Sequence, residues 1–173
     1  NDVTLLVNNA GYFGASPTAH VSLANIEKEI AVNFMAPMAL ANSFANIFDK
    51  IAAETSKNIE IKPSAIVNIN SIASFVNFPL AGSYSATKAA AHSLTQAQRR
   101  DFTSSLVIGV YPGPIDTDMV DGYDLDNLTP SSAVGQAVVD ALKNGTQDVF
   151  PDPTAEQLYA GWKADAKAME AQM

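Results

Sequence analysis

The stretch AIVNINSIASFVNFPLAGSYSATKAAAHSLTQAQRRDF, residues 65–102, decides the fold. Its first six residues, Ala65 to Asn70, are apolar with little alternation and stop at a serine, so they read as a buried strand. From Ser83 to Phe102 the chain is Ala-rich with small residues all round, which predicts a helix packed on more than one side. The same alternation extends in both directions. Upstream, Thr4 to Asn9 (TLLVNN), closed by Gly11, reads as another buried strand, and Leu23 to about Lys50 as a long helix with Ser22 as N-cap. Downstream, Leu106 to Tyr111 is a third strand, ended by Pro112-Gly113-Pro114. Thr129-Pro130 reads as an N-cap followed by proline at the first helical position, opening a helix through Lys143. Asp148 to Phe150 is a short last strand, and Thr154 with Gln157 has capping-box spacing for a terminal helix carrying Trp162. Apolar strands separated by helices predict an α/β fold: a doubly wound parallel sheet of about four strands, as a single domain over residues 1–173. Ligands of such sheets sit beyond the carboxyl ends of the strands.

Chemistry gathers at those ends. Tyr84-Ser85-Ala86-Thr87-Lys88 opens the second long helix, and Tyr84 and Lys88, four apart, share one helix face. A free tyrosine titrates near 10 and is a poor base at neutral pH. An ammonium ~4–5 Å away favours the phenolate by on the order of 3–4 kcal/mol before screening, at an effective dielectric of about 20. The pair therefore predicts a proton donor and acceptor near neutrality. Ser71 follows the strand Ala65–Asn70, where a hydroxyl points into the crevice and can hold a carbonyl or alcohol oxygen. Asn8-Asn9-Ala10-Gly11 ends the first strand with small residues that let a planar ligand or a backbone approach closely. Pro112, Gly113 and Thr117 close the third strand in the same plane. Pro37 lacks an N–H, so the carbonyl of Asn33 loses its helical partner; a kink is expected there, with that carbonyl free to bind water. Taken singly, each of these features also has an ordinary structural reading as a turn, a cap or a packing kink.

Taken together, in this order and spacing, they resemble the short-chain dehydrogenase/reductase family. The resemblance covers essentially the whole chain: N-N-A-G at Asn8–Gly11, an asparagine at Asn33, a serine at Ser71, Y-x-x-x-K at Tyr84 and Lys88, and P-G-x-x-x-T at Pro112, Gly113 and Thr117. It implies a partial Rossmann-type sheet and hydride transfer between NAD or NADP and a carbonyl/alcohol pair. Tyr84 would pass the proton and Ser71 hold the substrate oxygen. Lys88 would lower the tyrosine pKa and hold the nicotinamide ribose, and Asn33 would maintain a water-borne proton relay. Asn8, Asn9, Ala10 and Gly11 would border the adenosine side, and the turn through Pro112, Gly113, Ile115 and Thr117 would orient the carboxamide. The resemblance also implies a homodimer or homotetramer through the two long helices. The alternative is a noncatalytic module that keeps the fold without turnover.

Nine glycines contain no G-x-G pair, so the family's glycine-rich turn, and with it the residue that chooses NAD or NADP, is not in this sequence. The expectation is a later portion of a longer protein, inactive by itself. Composition narrows the partners. The 173 residues (18.3 kDa) are 47% hydrophobic, enough for a real core. A net charge of −8 disfavours nucleic acid. No apolar run near 20 residues is evident, so no membrane span is expected. Zero cysteines and two histidines disfavour a metal site and agree with a cytoplasmic location. Asp116, Asp118, Asp121, Asp124 and Asp126 are out of register for a calcium loop and read as a solvated acidic segment. Phe75, Phe78, Met119, Val120 and Tyr123 are expected to line an apolar pocket.

Overall fold

The structure, a computed structural model, describes residues 3–57, 64–123, 125 and 128–172. Four strands, β1 (Leu5–Asn8), β2 (Ala65–Ile69), β3 (Leu106–Val110) and β6 (Asp148–Val149), form one parallel sheet in the order β1-β2-β3-β6. Helices α1 (Leu23–Ile30) and α2 (Ala36–Thr55) follow β1, α3 (Gly82–Asp101) follows β2, and α4 (Ser131–Asn144) leads into β6. Helices α5 (Pro153–Ala164) and α6 (Ala166–Glu170) complete the order. A second small pairing, β4 (Ile115–Asp116) with β5 (Thr129–Pro130), ties down both ends of the loop between them.

Parallel register explains the layers. Leu6, Ile66 and Val107 lie in one row and pack against Ala41, Phe48 and Ile51 of α2. Val67 and Ile108 face the other way, with Val110 and Val149, against α4. Val7 shares a row with Val67, yet it is 43% exposed and Leu5 40%, because α4 covers only the β3–β6 side of that face. A third cluster joins Ile72, Val76 and Ala155 under Phe150, Tyr159 and Trp162.

Two local expectations are corrected, and the irregularity expected at Pro37 takes a definite form. A π-helical turn, Ala31–Met35, links α1 to α2, and the Ala36 N–H reaches back to the carbonyl of Ala31. Such a widened turn is one of the usual irregularities of a helix that contains proline. Thr129-Pro130 is strand, its Thr129 N–H donating to the carbonyl of Pro114, and α4 starts one residue later. The cap of α5 is Asp152, whose carboxylate accepts from the Ala155 N–H, with Pro153 in the first turn; Thr154 lies inside the helix. One further correction concerns hydropathy: Leu23–Thr55 is, by length and composition, apolar enough to cross a membrane. Its Ala41, Phe48 and Ile51 pack on the sheet.

Phe48 is 1% exposed and sits 6.0 Å from the ring of Phe44 and 6.2 Å from that of Phe102. Phe48→Ala is expected to cost about 3–5 kcal/mol, read from the midpoint of urea unfolding.

Candidate active site

Lys88 lies nearly two turns into α3, one turn after Tyr84, and is 4% exposed. Its Nζ donates to the carbonyl of Ile69, the last residue of β2, at 2.9 Å. The Ser74 hydroxyl donates to the carbonyl of Lys88 at 2.9 Å, so helix and post-strand turn are tied at two levels. Ser71 caps the 3₁₀ turn Ile72–Ser74, its hydroxyl accepting from the Ala73 N–H at 3.1 Å, and Tyr84 lies beside it. Lys88 Nζ is 5.6 Å from the centroid of the Tyr84 ring.

Electrostatics here run against the sequence expectation. Burial pushes the Tyr84 phenol up to about 12; the neighbouring Ser71 hydroxyl opposes that rise, and the nearby Glu29 carboxylate adds to it. Lys88, its own burial lowering it to about 8 and its ammonium directed to Ile69, pulls on the phenol too weakly to offset that burial. At neutral pH the pair is therefore a neutral phenol beside a cation, a set that gives a proton rather than takes one.

Asn33 sits in the π turn, 2% exposed. Its side-chain oxygen accepts from the Tyr12 N–H at 2.8 Å, and its amide donates to the Tyr12 carbonyl at 2.9 Å and to the Thr87 hydroxyl at 3.0 Å. Thr87 in turn donates to the carbonyl of Tyr84 at 2.7 Å. One turn earlier, Glu29, 1% exposed, accepts from the Gly14 N–H at 2.8 Å. These two side chains clamp the loop after β1 and hold Phe13 edge-on to Tyr84, ring centroids 5.1 Å apart.

On the far side, the Ile72 N–H donates to the carbonyl of Pro112 at 2.9 Å, joining the turns after β2 and β3. Both oxygens of Asp152 are committed: one caps Ala155, and the other accepts from the Gly113 N–H at 2.8 Å. A Cβ on Gly113 would stand 2.7 Å from that carboxylate, so only glycine fits.

These segments enclose a cleft of about 990 Å³ at the carboxyl ends of the strands. Asn9, Ala10, Gly11, Ser71, Tyr84, Lys88, Pro112, Gly113, Ile115 and Thr117 all line it. Asn8 does not: it is buried under α3, donating to Asn68 at 2.8 Å, because the pleat turns it to the opposite face from Val7. Asn8 and Asn33 instead border a cavity of about 10 Å³, the size of one water, together with Asn70 and Lys88. Phe78, Met119, Val120 and Tyr123 line the main cleft as expected. Phe75 does not; it stacks among His92, Tyr111, Tyr159 and Trp162 in the core. Asp124 and Asp126 lie outside the described residues. Glu29, Phe13 and Asp152 escaped sequence reasoning. For Asp152 a signal existed, Asp-Pro being an N-cap followed by proline at the first helical position.

A parallel sheet with polar, reactive side chains gathered beyond its carboxyl ends defines a doubly wound α/β protein with its site at the strand ends; comparison narrows it. The family model "short chain dehydrogenase" matches residues 1–127, and the chain belongs to that family. It is 30% identical over 163 residues to the short-chain dehydrogenase RED1 of Pyricularia oryzae, covering 90% of this chain and 54% of that protein. To a diacetyl reductase of Staphylococcus epidermidis it is 28% identical over 137 residues, covering 77% of this chain and 50% of that one. A crystal structure of a short-chain dehydrogenase from Burkholderia cenocepacia in complex with NADP superposes with a TM-score of 0.83 at 30% identity, covering 99% of this chain and 70% of that one. The chain thus spans about half the length of these curated relatives.

The lowered Lys88 value carries a stability consequence. Between about 8 and the ordinary 10.5, the unfolded chain holds a proton that the folded chain lacks, so stability rises with pH across that window. Below it, burying the cation costs about 3 kcal/mol, of which the hydrogen bond to Ile69 returns ~1. Lys88→Met is expected to raise the thermal midpoint at pH 7, with the advantage fading between pH 8 and 10.5 in scanning calorimetry.

Proposed function

We propose that this protein, with the remainder of its dinucleotide site, is an NAD(P)-dependent oxidoreductase acting on a carbonyl/alcohol pair. The observation that carries this reading is the neutral Tyr84 phenol, beside Ser71 and backed by the Lys88 cation, at the wall of a cleft beyond the strand ends. The residues present suit the nicotinamide half of such a cofactor. The exposed sheet face at Val7, bare Gly11 and the Gly113 turn give a flat, close-approach surface, and Lys88 lies within 3.9 Å of where a Gly11 Cβ would stand. The relative crystallised with NADP supports the cofactor class without choosing between NAD and NADP.

Bound there, the nicotinamide would supply hydride to a carbonyl carbon or accept it from an alcohol. In the reductive direction Ser71 donates a hydrogen bond to the carbonyl oxygen and Tyr84 gives that oxygen its proton. Lys88 stabilises the phenolate left behind. Asn33 holds the Tyr12 loop and borders the one-water cavity next to Lys88, a route by which Tyr84 regains its proton.

The assembly expected of the protein rests on exposed apolar side chains along the long helix, Met35, Met38 and Leu40 among them. A homodimer or homotetramer covers them, and a strictly monomeric species in light scattering at micromolar concentration contradicts this. A cytoplasmic location belongs to the same proposal.

Tyr84→Phe in the full-length protein is expected to lower kcat by at least about a hundredfold with dinucleotide affinity unchanged within a few-fold. Turnover above roughly a tenth of wild type contradicts the assigned role.

A further inference from the structure

The cleft has one unusual wall. Leu80, between the turn after β2 and the start of α3, has a φ of +63°, a left-handed conformation that a branched side chain rarely adopts. Nothing in the core requires it, since Leu80 is 44% exposed. The conformation is held by the Ser16 N–H, which donates to the Leu80 carbonyl at 2.9 Å and ties the 78–81 turn to the loop after β1. Glycine would occupy this backbone position without strain. The chain instead accepts the strain and presents an isobutyl group at the mouth of the cleft.

The surrounding chemistry agrees with that placement. Phe13 bridges Tyr84 and Tyr123, with ring centroids 5.1 and 5.9 Å away, so the wall next to the reacting phenol is aromatic. Phe78, Met119 and Leu125 add further apolar surface to the lining. Among the described lining residues Lys88 is the sole cation, and its Nζ is directed to the Ile69 carbonyl. The acids in the lining, Asp116 and Asp118, are exposed at the rim and repel anions, as does the net charge of −8. Among the described lining residues a carboxylate or phosphate finds no cation other than Lys88, whose Nζ is already engaged. A polyhydroxylated substrate has hydrogen-bond partners at Ser71 and Tyr84 for one oxygen, while the wall of Phe13, Phe78, Leu80 and Met119 offers its other hydroxyls none; the remaining polar lining residues, Asn9, Asn70, Asp116, Thr117, Asp118 and Ser131, belong to other segments of the cleft.

Building on the oxidoreductase reading, we propose that the substrate is an uncharged ketone, or the matching secondary alcohol, with apolar substituents, and that Leu80 is a specificity-determining residue that contacts them. The strained backbone at 80 is the means of holding that contact in place.

The test uses the full-length protein with NADH and NADPH and three probes: acetophenone, pyruvate and dihydroxyacetone. The expected kcat/KM for acetophenone exceeds that for the other two by about a hundredfold or more. Leu80→Gly is expected to raise the KM for acetophenone about tenfold with kcat nearly unchanged and the thermal midpoint equal or higher, because the strain is released. Leu80→Met, which restores apolar volume, is expected to recover most of that loss. Preference for pyruvate or dihydroxyacetone overturns the proposal, as does a Leu80→Gly variant with unchanged KM. If calorimetry shows dinucleotide bound but acetophenone is not turned over, the substrate class is wrong and the cofactor reading stands. If neither dinucleotide binds, the oxidoreductase reading itself fails, and this inference with it.

Discussion

The contact between Lys88 Nζ and the carbonyl of Ile69 is the constraint on which the site depends. It is a charged group taken out of water to reach the last carbonyl of a central strand, and burial penalises that charge. In return it fixes where α3 starts relative to the carboxyl end of β2. With Lys88 held there, Tyr84 must lie one turn nearer the strand end, beside Ser71, because residues four apart share a helix face. The Ser74 hydroxyl on the Lys88 carbonyl repeats the same tie through the backbone. Energy spent on solvating nothing thus becomes geometry.

The other elements work by the same exchange of buried polar groups for position. Asn33 and Glu29, one turn apart on the long helix, reach the backbone of Tyr12 and Gly14 and so place Phe13 against Tyr84. The π turn that makes room for Pro37 is where Asn33 sits. Asp152 does for the third strand's turn what these do for the first, its two oxygens joining the Gly113 N–H to the start of α5. Below them runs a buried row of carboxamides, Asn8 to Asn68 and Asn68 to Thr95 and Gln98, that locks the sheet to α3. A rigid frame of this kind lets a small number of side chains converge within hydrogen-bond reach of one oxygen.

Much of this frame was legible before any coordinates. Three of the four strands, β1, β2 and β3, stand out because each is apolar without alternation; β2 and β3 are buried on both faces as that pattern implies, whereas Leu5 and Val7 of β1 stay half-exposed. Ser71, Tyr84 and Lys88 could be placed together because a strand end and a helix face are enough to bring them there. What could not be read depends on partners distant in sequence. Whether Asn8 faces the cleft is decided by the pleat, and Phe75 is drawn into the core by Trp162, Tyr159 and Phe150 on later elements. Thr129-Pro130 carries a sound helix-start signal, yet pairing with Ile115-Asp116 takes it first. Thr154 with Gln157 has the right spacing, but Asp152 two residues earlier has the stronger acceptor. The tyrosine's proton affinity is not legible in the i, i+4 spacing, because the pull of Lys88 competes with a desolvation that only the packed structure sets.

That last point is also the most exposed part of the account, which holds that burial, not the neighbouring cation, governs Tyr84. NMR titration of protein labelled with carbon-13 at the tyrosine ζ position reads each phenol's ionisation directly, with Tyr84 assigned by loss of its signal in the Tyr84→Phe variant. Without dinucleotide, the Tyr84 signal should stay at its neutral shift through pH 10 and move only toward about 12. A Tyr84 signal that titrates at or below the ordinary tyrosine value of about 10 would contradict the account and restore Lys88 as the controlling charge.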